Sequence, residues 1–464
     1  MIKSTQQVES SEREVSVFQA SRRLPAFQFF LRYPIFLLAF GPPIFRAQAI
    51  GTDTSQSHFD FWSVFQVGWI SLISLRAILR VISARSIFIP NQIRSILRLA
   101  FFLGVIFLAS VAYSPGRLVS TEFSILYFMT LICVVEFLVD TYSDPPDWTQ
   151  CLFRLRLVAI WLFAAILITL PFAPSLVMAI VPGAGIRIIG GTVGSVPVLG
   201  PIIAIISAYS FLHSLESRVR AAVFFLVGLA GTLITQSRGT EIALFIVLVL
   251  LSLGWAKKSR RSAYVFIFAF AASILVAALV VGSIGGDRVW NAFNRGQSAA
   301  GIATASGRTD IWKFAIQYSI SHPLGMGYVA GFRNIFTNRF DLNFEGDVTR
   351  LGTTHNTFVQ YLVDGGWLGI ALYLIMSVKI IALGWRFAKR RSLVTLSSER
   401  TTIHAIRCAL LLLVFCFVEG MDSSIFNIPL QGAFYYQNII VTIILGASTS
   451  MLILSRSRNA SFPR

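Results

Sequence analysis

Three residues in the second half of the chain could do chemistry together: Arg238, Arg308 and His355. Arg238 lies in the motif SRG between two apolar runs, Arg308 lies in GRTDIW, and His355 begins HNTFVQYLVDGGW. An arginine guanidinium binds phosphate through two parallel hydrogen bonds. Histidine titrates closest to neutral pH, and a helix N-terminus favours its neutral, proton-accepting form. The set suits a reaction in which a hydroxyl nucleophile displaces a diphosphate leaving group.

Each of these residues also has a simpler interpretation. Arg238 could place its charge among lipid head groups, Arg308 could pair with Asp310 at the surface, and His355 could be a polar neighbour of a helix N-cap. For Arg238 the sequence opposes this, because the other short loops predicted on the same side carry few basic residues. Its small neighbours also favour a compact turn whose backbone N–H groups could face an anion.

The elements that must position these residues are membrane spans. The chain has 464 residues, of which 55% are hydrophobic and 13% charged, and its mean hydropathy is +0.72. These values lie outside the range of soluble globular proteins. The net charge of +18 does not indicate a nucleic-acid partner, because the basic residues form short clusters between apolar runs. The sequence therefore predicts an all-α polytopic membrane protein.

Apolar windows of about 20 residues predict about twelve transmembrane helices. Basic clusters fall in every second loop and in both tails, whereas the alternate short loops contain little besides Arg46, Arg117, Arg187 and Arg238. The positive-inside rule therefore places both termini in the cytoplasm. The predicted spans lie near residues 26–45, 59–79, 97–114, 120–140, 157–173, 193–213, 220–236, 240–256, 262–285, 366–385, 403–420 and 434–454.

The charge pattern places one long loop, between the ninth and tenth spans, on the outer side. Loops of this length are usually functional. We expect a helix in it that begins at Asp310 with Thr309 as N-cap, ends at His322-Pro323, and lies against the membrane face or covers a cavity. Its apolar stripe would be Ile311, Trp312, Ala315, Ile316 and Ile320. The resulting segments are a disordered cytoplasmic tail (1–25), helices 1–9 (26–285), a periplasmic catalytic loop (286–365), helices 10–12 (366–454) and a cytoplasmic tail (455–464).

The sequence predicts no cofactor and no metal site. The four cysteines include no CxxC motif, and none falls on the predicted outer side, so no disulfide is expected. None of the acidic pairs has convincing metal-ligand spacing, and each is expected to be solvated or structural. These pairs are Asp53 with Asp60, Glu345 with Asp347, and Glu419 with Asp422.

The motifs SRG, GRTDIW, SHPLGMGY and HNTFVQYLVDGGWLG occur in an order and spacing that resemble the O-antigen ligase and polysaccharide polymerase superfamily. The span layout also matches, although residues 1–215 match only as spans. The resemblance implies a metal-independent, inverting membrane glycosyltransferase of the C-type fold in the bacterial inner membrane. Its donor would be a glycan on undecaprenyl diphosphate at the periplasmic face, and its acceptor a glycan or lipid A-core. Membrane lipids and other polysaccharide-assembly proteins would be further partners.

The resemblance also implies roles for individual residues. Arg238 and Arg308 match diphosphate-binding arginines, and His355 matches the histidine that activates the acceptor hydroxyl. His322 matches a recurrent position that we interpret as structural, and Thr240 stands where alanine is common after SRG. Four further residues complete the predicted site as substrate-binding residues, two flanking Arg238 and two following His355: Ser237, Gly239, Asn356 and Gln360.

Three alternatives remain open at this point. A ligase, which transfers finished chains to lipid A-core or protein, needs the same motifs as a polymerase of surface or exopolysaccharide, which we favour because polymerases are the broader set. A transporter or flippase for an anionic lipid would need broken helices in matching halves, and only GTVGSVPVLGP suggests one. A metal-dependent C-type glycosyltransferase would use Asp53 or Asp60.

Overall fold

The computed structural model describes residues 24–40, 61–83, 89–172, 178–181, 185–188, 196–235, 237–256, 308–329, 356–390, 397–422 and 433–461. These residues form twelve α-helices, a 3-10 helix (Pro34–Phe40) and two strands. The helices are α1 Ala26–Arg32, α2 Phe61–Ser83, α3 Asn91–Ser110, α4 Arg117–Ser143, α5 Trp148–Thr169, α6 Val196–His213, α7 Arg218–Ile234, α8 Arg238–Ala256, α9 Arg308–Ser321, α10 Thr357–Ala388, α11 Ser397–Asp422 and α12 Ala433–Ser461.

Six of these helices are long and apolar enough to cross a membrane: α3, α4, α5, α10, α11 and α12. Helices α6 and α8 carry shorter apolar stretches, Val198–His213 and Gly239–Gly254. The predicted spans after the first correspond to α2–α8 and α10–α12, apart from the ninth (262–285), which lies outside the described residues. The chain is therefore a polytopic helical membrane protein.

The first predicted span is not one continuous helix. Helix α1 ends at Arg32, and a 3-10 helix starts at Pro34. Proline lacks the N–H that an α-helix needs at this point and disfavours helical backbone in the residue before it. The described part of 26–45 therefore forms two short helices where the sequence predicted a single one.

One hairpin departs from the predicted all-α fold. Strands β1 (Met178–Val181) and β2 (Gly185–Ile188) pair antiparallel, with Met178 opposite Ile188 and Val181 opposite Gly185. Both strands contain β-branched residues, which favour extended backbone. The hairpin lies in the connection between α5 and α6, where the loop was predicted on the outer side.

Contacts divide the described connections into two ends of the bundle, which we name after the predicted topology. At the inner end, the Leu24 amide donates to Gln150 Oε1 of α5 at 3.1 Å, and the Arg154 side chain of α5 donates to the Leu24 carbonyl at 2.8 Å. Arg407 of α11 donates to the carbonyl of Ala388, at the last turn of α10. These contacts join segments at or beside connections that were predicted on the cytoplasmic side.

Arginine–carboxylate pairs hold the inner end together. Arg156 of α5 binds Glu216 of the α6–α7 connection with both guanidinium nitrogens, one of them at 2.7 Å, and both side chains are about 5% exposed or less. The same guanidinium lies over the Phe224 ring, 4.4 Å from its centroid. Further pairs join α1 and α2 to the end of α4: Arg32–Asp144 at 2.6 Å, Arg76–Glu136 at 3.1 Å and Arg80–Asp140.

The centre of the bundle is α6, whose residues from Val198 to Tyr209 are buried. It packs closely on α7, and a Cβ added to Gly228 would collide with the backbone of Ala204. Helices α11 and α12 are also largely buried. This apolar core separates the inner end from the outer end, where the α3–α4 and α7–α8 turns, α9 and the start of α10 meet.

Candidate functional site

Arg238 is the first residue of α8, directly after a tight turn from α7. The carbonyl of Ser237 accepts from the amide of Glu241 at 2.9 Å, so the helix begins at this turn. The Thr240 hydroxyl lies 2.8 Å from Ser237 Oγ and donates to Glu419 Oε1 of α11 at 2.8 Å. The predicted turn around Arg238 is therefore present, and it is attached to the last turns of α11.

The start of α10 is attached to the same part of α11. Asn356 is the N-cap of α10, and its Oδ1 accepts from the amides of Phe358 and Val359 at 2.9 and 3.1 Å. Its Nδ2 donates to the carbonyl of Met421 at 3.0 Å. His355 precedes this cap in the sequence but lies outside the described residues. Asn356, predicted to bind substrate, is thus a capping residue of the helix that follows His355.

Gln360, also predicted to bind substrate, is buried one turn further along α10. Its Nε2 donates to Asp364 Oδ1 at 2.9 Å, within the same helix, and Asp364 is fully buried. The bond aligns these side chains on the face of α10 that packs inside the bundle. A structural role for Gln360 in this buried pair accounts for its position.

Helix α9 begins at Arg308, two residues earlier than predicted, so Thr309 lies inside the helix instead of capping it. It ends at Ser321, before His322-Pro323, as predicted. The buried face is formed by Ile311 and Ala315, which pack in one cluster with Val359 and Val363 of α10. This contact brings the first half of α9, and with it the Arg308 position, beside the first turns of α10.

Two members of the predicted apolar stripe of α9 lie on its exposed face. Ile316 is 42% exposed and Ile320 is 69% exposed, close to the exposed Leu324. The inward positions are spaced by four residues and end at the buried Ser319. Ile311 and Ala315 therefore pack on α10, and the predicted stripe is divided between this buried side and a side that carries Ile316 and Ile320.

The turn after α9 fastens the loop to the membrane helices. The Met326 amide donates to the Val363 carbonyl at 2.7 Å, and the Trp367 amide donates to the Pro323 carbonyl at 3.1 Å. The Tyr328 ring stacks on Phe107 of α3, with centroids 3.9 Å apart. His322 is exposed, and its ring stacks on Tyr318 of α9 at 4.0 Å, in keeping with a structural interpretation.

Serines of the α3–α4 turn complete this attachment. The Tyr328 amide donates to Ser110 Oγ at 3.0 Å, and Ser120 Oγ donates to the Tyr328 carbonyl at 2.9 Å. The Tyr113 hydroxyl donates to the Leu324 carbonyl at 2.6 Å. Partial burial raises the pKa of the Tyr113 phenol above its ordinary value, so the group stays a hydrogen-bond donor throughout the neutral range.

Two glycines make this close packing possible. Gly366 has φ +66° and interrupts α10 at the position where the tenth span was predicted to begin; a Cβ there would collide with the Pro323 carbonyl. Gly327 has φ +108°, and a Cβ there would collide with Ser114 of the α3–α4 turn. Only glycine adopts such backbone angles without strain, so both positions serve the junction between loop and bundle.

The site is thus a meeting point of helix ends. The N-termini of α8 and α10 both bond to the last turns of α11, and the first half of α9 packs on the first turns of α10. Helix N-termini carry partial positive charge and attract anions. The chemistry supported by this arrangement is binding of a phosphate-containing group at the outer end.

Two contributors to this arrangement were not predicted in their present roles. Glu419 was expected to be solvated or structural, and it is structural: it is 2% exposed and accepts the Thr240 hydroxyl. Thr240 was noted only as a departure from alanine. An acidic residue in the last turn of an apolar span was the available signal, because burial of a carboxylate there requires a partner. The other acidic candidates, Asp53, Asp60, Glu345 and Asp347, lie outside the described residues.

The fold and this site define a polytopic membrane protein that presents helix N-termini at one end. Residues 221–374 match the family model described as O-Antigen ligase, so the chain carries an O-antigen ligase family domain that runs from α7 into α10 and includes Arg238, Arg308 and His355. The comparison with curated proteins gives no match. The family domain confirms the resemblance and indicates an enzyme of glycan transfer in polysaccharide or lipopolysaccharide assembly.

Proposed function

We propose that the protein transfers a glycan from undecaprenyl diphosphate to an acceptor sugar hydroxyl at the periplasmic face of the inner membrane. One observation carries this proposal: the starts of α8 and α10 both bond to the last turns of α11, and the first half of α9 packs on the first turns of α10. The positions of Arg238 and Arg308 and the residue after His355 therefore lie at the same end of the bundle. The family domain covers the same three positions. The outer end is taken as periplasmic because of the loop charges.

His355, Arg238 and Arg308 have separate roles in the proposed reaction. The acceptor oxygen attacks the anomeric carbon while His355 takes the hydroxyl proton, and the bond from that carbon to the diphosphate oxygen breaks with inversion. The bonding electrons leave with undecaprenyl diphosphate, whose charge Arg238 and Arg308 stabilise. A well-placed donor of this kind contributes about 10²–10³-fold in kcat, and a general base contributes roughly 10²–10⁴-fold. The positive ends of α8, α9 and α10 act in the same direction.

The proposal is tested with purified protein in lipid nanodiscs or vesicles. The substrate is an oligosaccharide linked to undecaprenyl diphosphate, given with and without a metal chelator, and the measured quantity is released undecaprenyl diphosphate. We expect chelator-resistant release by the wild type and loss of release in His355→Ala. Equal release by both proteins would reject His355 as the base, and release that needs metal would reject the metal-independent mechanism.

Product length distinguishes polymerisation from ligation, which use the same leaving group and base. We expect surface or exopolysaccharide polymerisation, so chains should lengthen when lipid-linked repeats are the sole substrate. Transfer of an unlengthened chain only after lipid A-core or a protein acceptor is added would assign ligation instead. A transporter would move the lipid-linked glycan across the bilayer without releasing undecaprenyl diphosphate.

A further inference from the structure

The last turn of α11 joins the two helix starts that carry the proposed chemistry, although it lies outside the segment matched by the family model. Glu419 accepts the Thr240 hydroxyl of α8, and two residues later the Met421 carbonyl accepts the Asn356 side chain of α10. Two short hydrogen bonds therefore connect the Arg238 turn, through one turn of α11, to the residue after His355.

The side chains around these two hydrogen bonds are closely packed, so the helix ends that they join should move together. Glu419 is 2% exposed and Thr240 is fully buried. The Phe358 ring of α10 stacks on Phe417 of α11, with an interplanar angle of 16° and centroids 6.3 Å apart. A displacement of the α11 end would therefore be shared by the starts of α8 and α10, because buried side chains have little room to compensate.

Charge favours the same arrangement. The C-terminal end of α11 carries partial negative charge and faces the positive N-terminal ends of α8 and α10. The Thr240 hydroxyl also donates to Glu419 Oε1 at 2.8 Å, between two side chains that are both buried. The hydrogen bond between Thr240 and Glu419 should therefore persist where little water is present.

We infer that Thr240 and Glu419 are positioning residues that fix the spacing between Arg238 and His355. This inference rests on the proposed function for its catalytic consequence, but the physical coupling of the helix starts stands by itself. Neither residue needs to contact substrate. A shift of about 1 Å in a catalytic group can cost on the order of 10²-fold in rate, so the pair would act on the reaction through the geometry of the arginine and the histidine.

The test compares four variants in nanodiscs. Thr240→Val removes the hydroxyl with little change in shape, and Thr240→Ser restores it. Glu419→Gln keeps an acceptor oxygen and removes the charge, which provides a second, milder perturbation if the valine variant folds poorly. Thr449→Val is the matched control, because Thr449 is a buried threonine whose hydroxyl bonds only to the carbonyl of Leu445 in its own helix, at 2.9 Å.

The first measurement is hydrogen–deuterium exchange of backbone amides, which does not depend on any reaction. Thr240→Val should raise exchange in the first turns of both α8 and α10, Thr240→Ser should restore protection, and Thr449→Val should leave both segments unchanged. Exchange that rises in α8 alone, or in neither helix, would overturn the coupling.

The second measurement is the rate of undecaprenyl diphosphate release. Thr240→Val should lower kcat/KM by about ten- to hundred-fold, chiefly through kcat, with recovery to within a few-fold in Thr240→Ser. The double variant Thr240→Val with Glu419→Gln should be no less active than the less active of the two single variants, because both changes break the same hydrogen bond. Activity equal to that of Thr449→Val would overturn the positioning role. A wild-type protein that releases nothing would reject the proposed function, while the exchange result would still decide the coupling.

Discussion

The two ends of the helix bundle use charge differently. At the inner end, buried or partly buried arginines meet carboxylates, as in the Arg156–Glu216 pair. At the outer end, the positions of Arg238 and Arg308 are the first residues of helices, where the helix dipole already disfavours a cation. An arginine beside a carboxylate has its anion supplied by the protein, whereas a cation at a helix N-terminus is best satisfied by an anionic ligand. The contrast agrees with the proposal that the arginines of the inner end hold the fold, whereas Arg238 and Arg308 bind substrate.

The same contrast appears in how the connections are attached. The inner end relies on ion pairs between side chains, whereas the outer end relies on backbone hydrogen bonds and on glycines that permit close approach. Hydrogen bonds such as Met326 to Val363 and Tyr328 to Ser110 need no charge. They attach the turn after α9 to α3 and α10 through neutral groups.

The largest effect on stability is expected from breaking the inner end. Glu216→Ala should destabilise the folded protein by about 3–5 kcal/mol, because it leaves the Arg156 charge buried without its partner. Replacing both residues, as Arg156→Met with Glu216→Leu, should recover most of this loss. Thermal unfolding in detergent measures both. A single variant as stable as the wild type would show that the pair does not support the fold.

The largest effect on activity is expected at the outer end. Arg238→Lys should lower the turnover of lipid-linked glycan by about 10²–10³-fold, because a lysine cannot form the paired hydrogen bonds of a guanidinium. Its unfolding temperature should stay near that of the wild type. The matched change at the inner end is Arg76→Lys, which keeps a cation beside Glu136 and should retain activity. A fully active Arg238→Lys protein in membranes would remove the diphosphate role.

A substitution at Gly366, where α10 is interrupted, should affect both stability and activity. Gly366→Ala should cost roughly 1–3 kcal/mol from its left-handed backbone alone, and its methyl group would also push against the Pro323 carbonyl. Detachment of the turn after α9 should lower activity as well. Gly369→Ala is the control on the same helix, since the nearest atom to its new Cβ would be the Tyr361 carbonyl oxygen at 3.5 Å.

The two variants are compared by thermal unfolding and by glycan release. Gly369→Ala should be neutral or slightly stabilising, because alanine favours helix over glycine by about 0.5–1 kcal/mol. If Gly366→Ala behaved like Gly369→Ala in both measurements, the interruption of α10 would not be needed to hold the loop. Loss of activity without loss of stability would place the turn closer to the chemistry than the structure alone indicates.

The sequence was sufficient for features that depend on composition and short-range pattern. Apolar windows located the long apolar helices of the described residues, because this pattern follows from the transfer of side chains between water and lipid. The turn at Arg238 and the end of α9 before Pro323 were also predicted, since tight turns and prolines act locally.

Features that depend on tertiary contacts were not predictable in this way. No local pattern indicated that Thr240 would bond to Glu419, which is 179 residues away. The division of the α9 stripe was not predictable, because helical spacing permits several apolar faces and the neighbouring α10 selects the one with Ile311 and Ala315. Asn356 and Gln360 were predicted to bind substrate from their place after His355. The bond from the Asn356 side chain to the Met421 carbonyl and the burial of Gln360 depend on tertiary contacts.

The smallest effect is expected from the most exposed ion pair of the inner end. Arg32 and Asp144 are 2.6 Å apart, but their side chains are 32% and 53% exposed. An exposed pair contributes only about 0–1 kcal/mol and weakens with added salt, so Asp144→Asn should barely change the unfolding temperature, and high salt should remove the difference. Glu136→Gln is the informative comparison, because Glu136 is 2% exposed and lies within 4 Å of both Arg76 and Arg80. If Asp144→Asn were as damaging as Glu216→Ala, the pairs of the inner end would form one cooperative network, and burial of each pair would no longer explain its contribution.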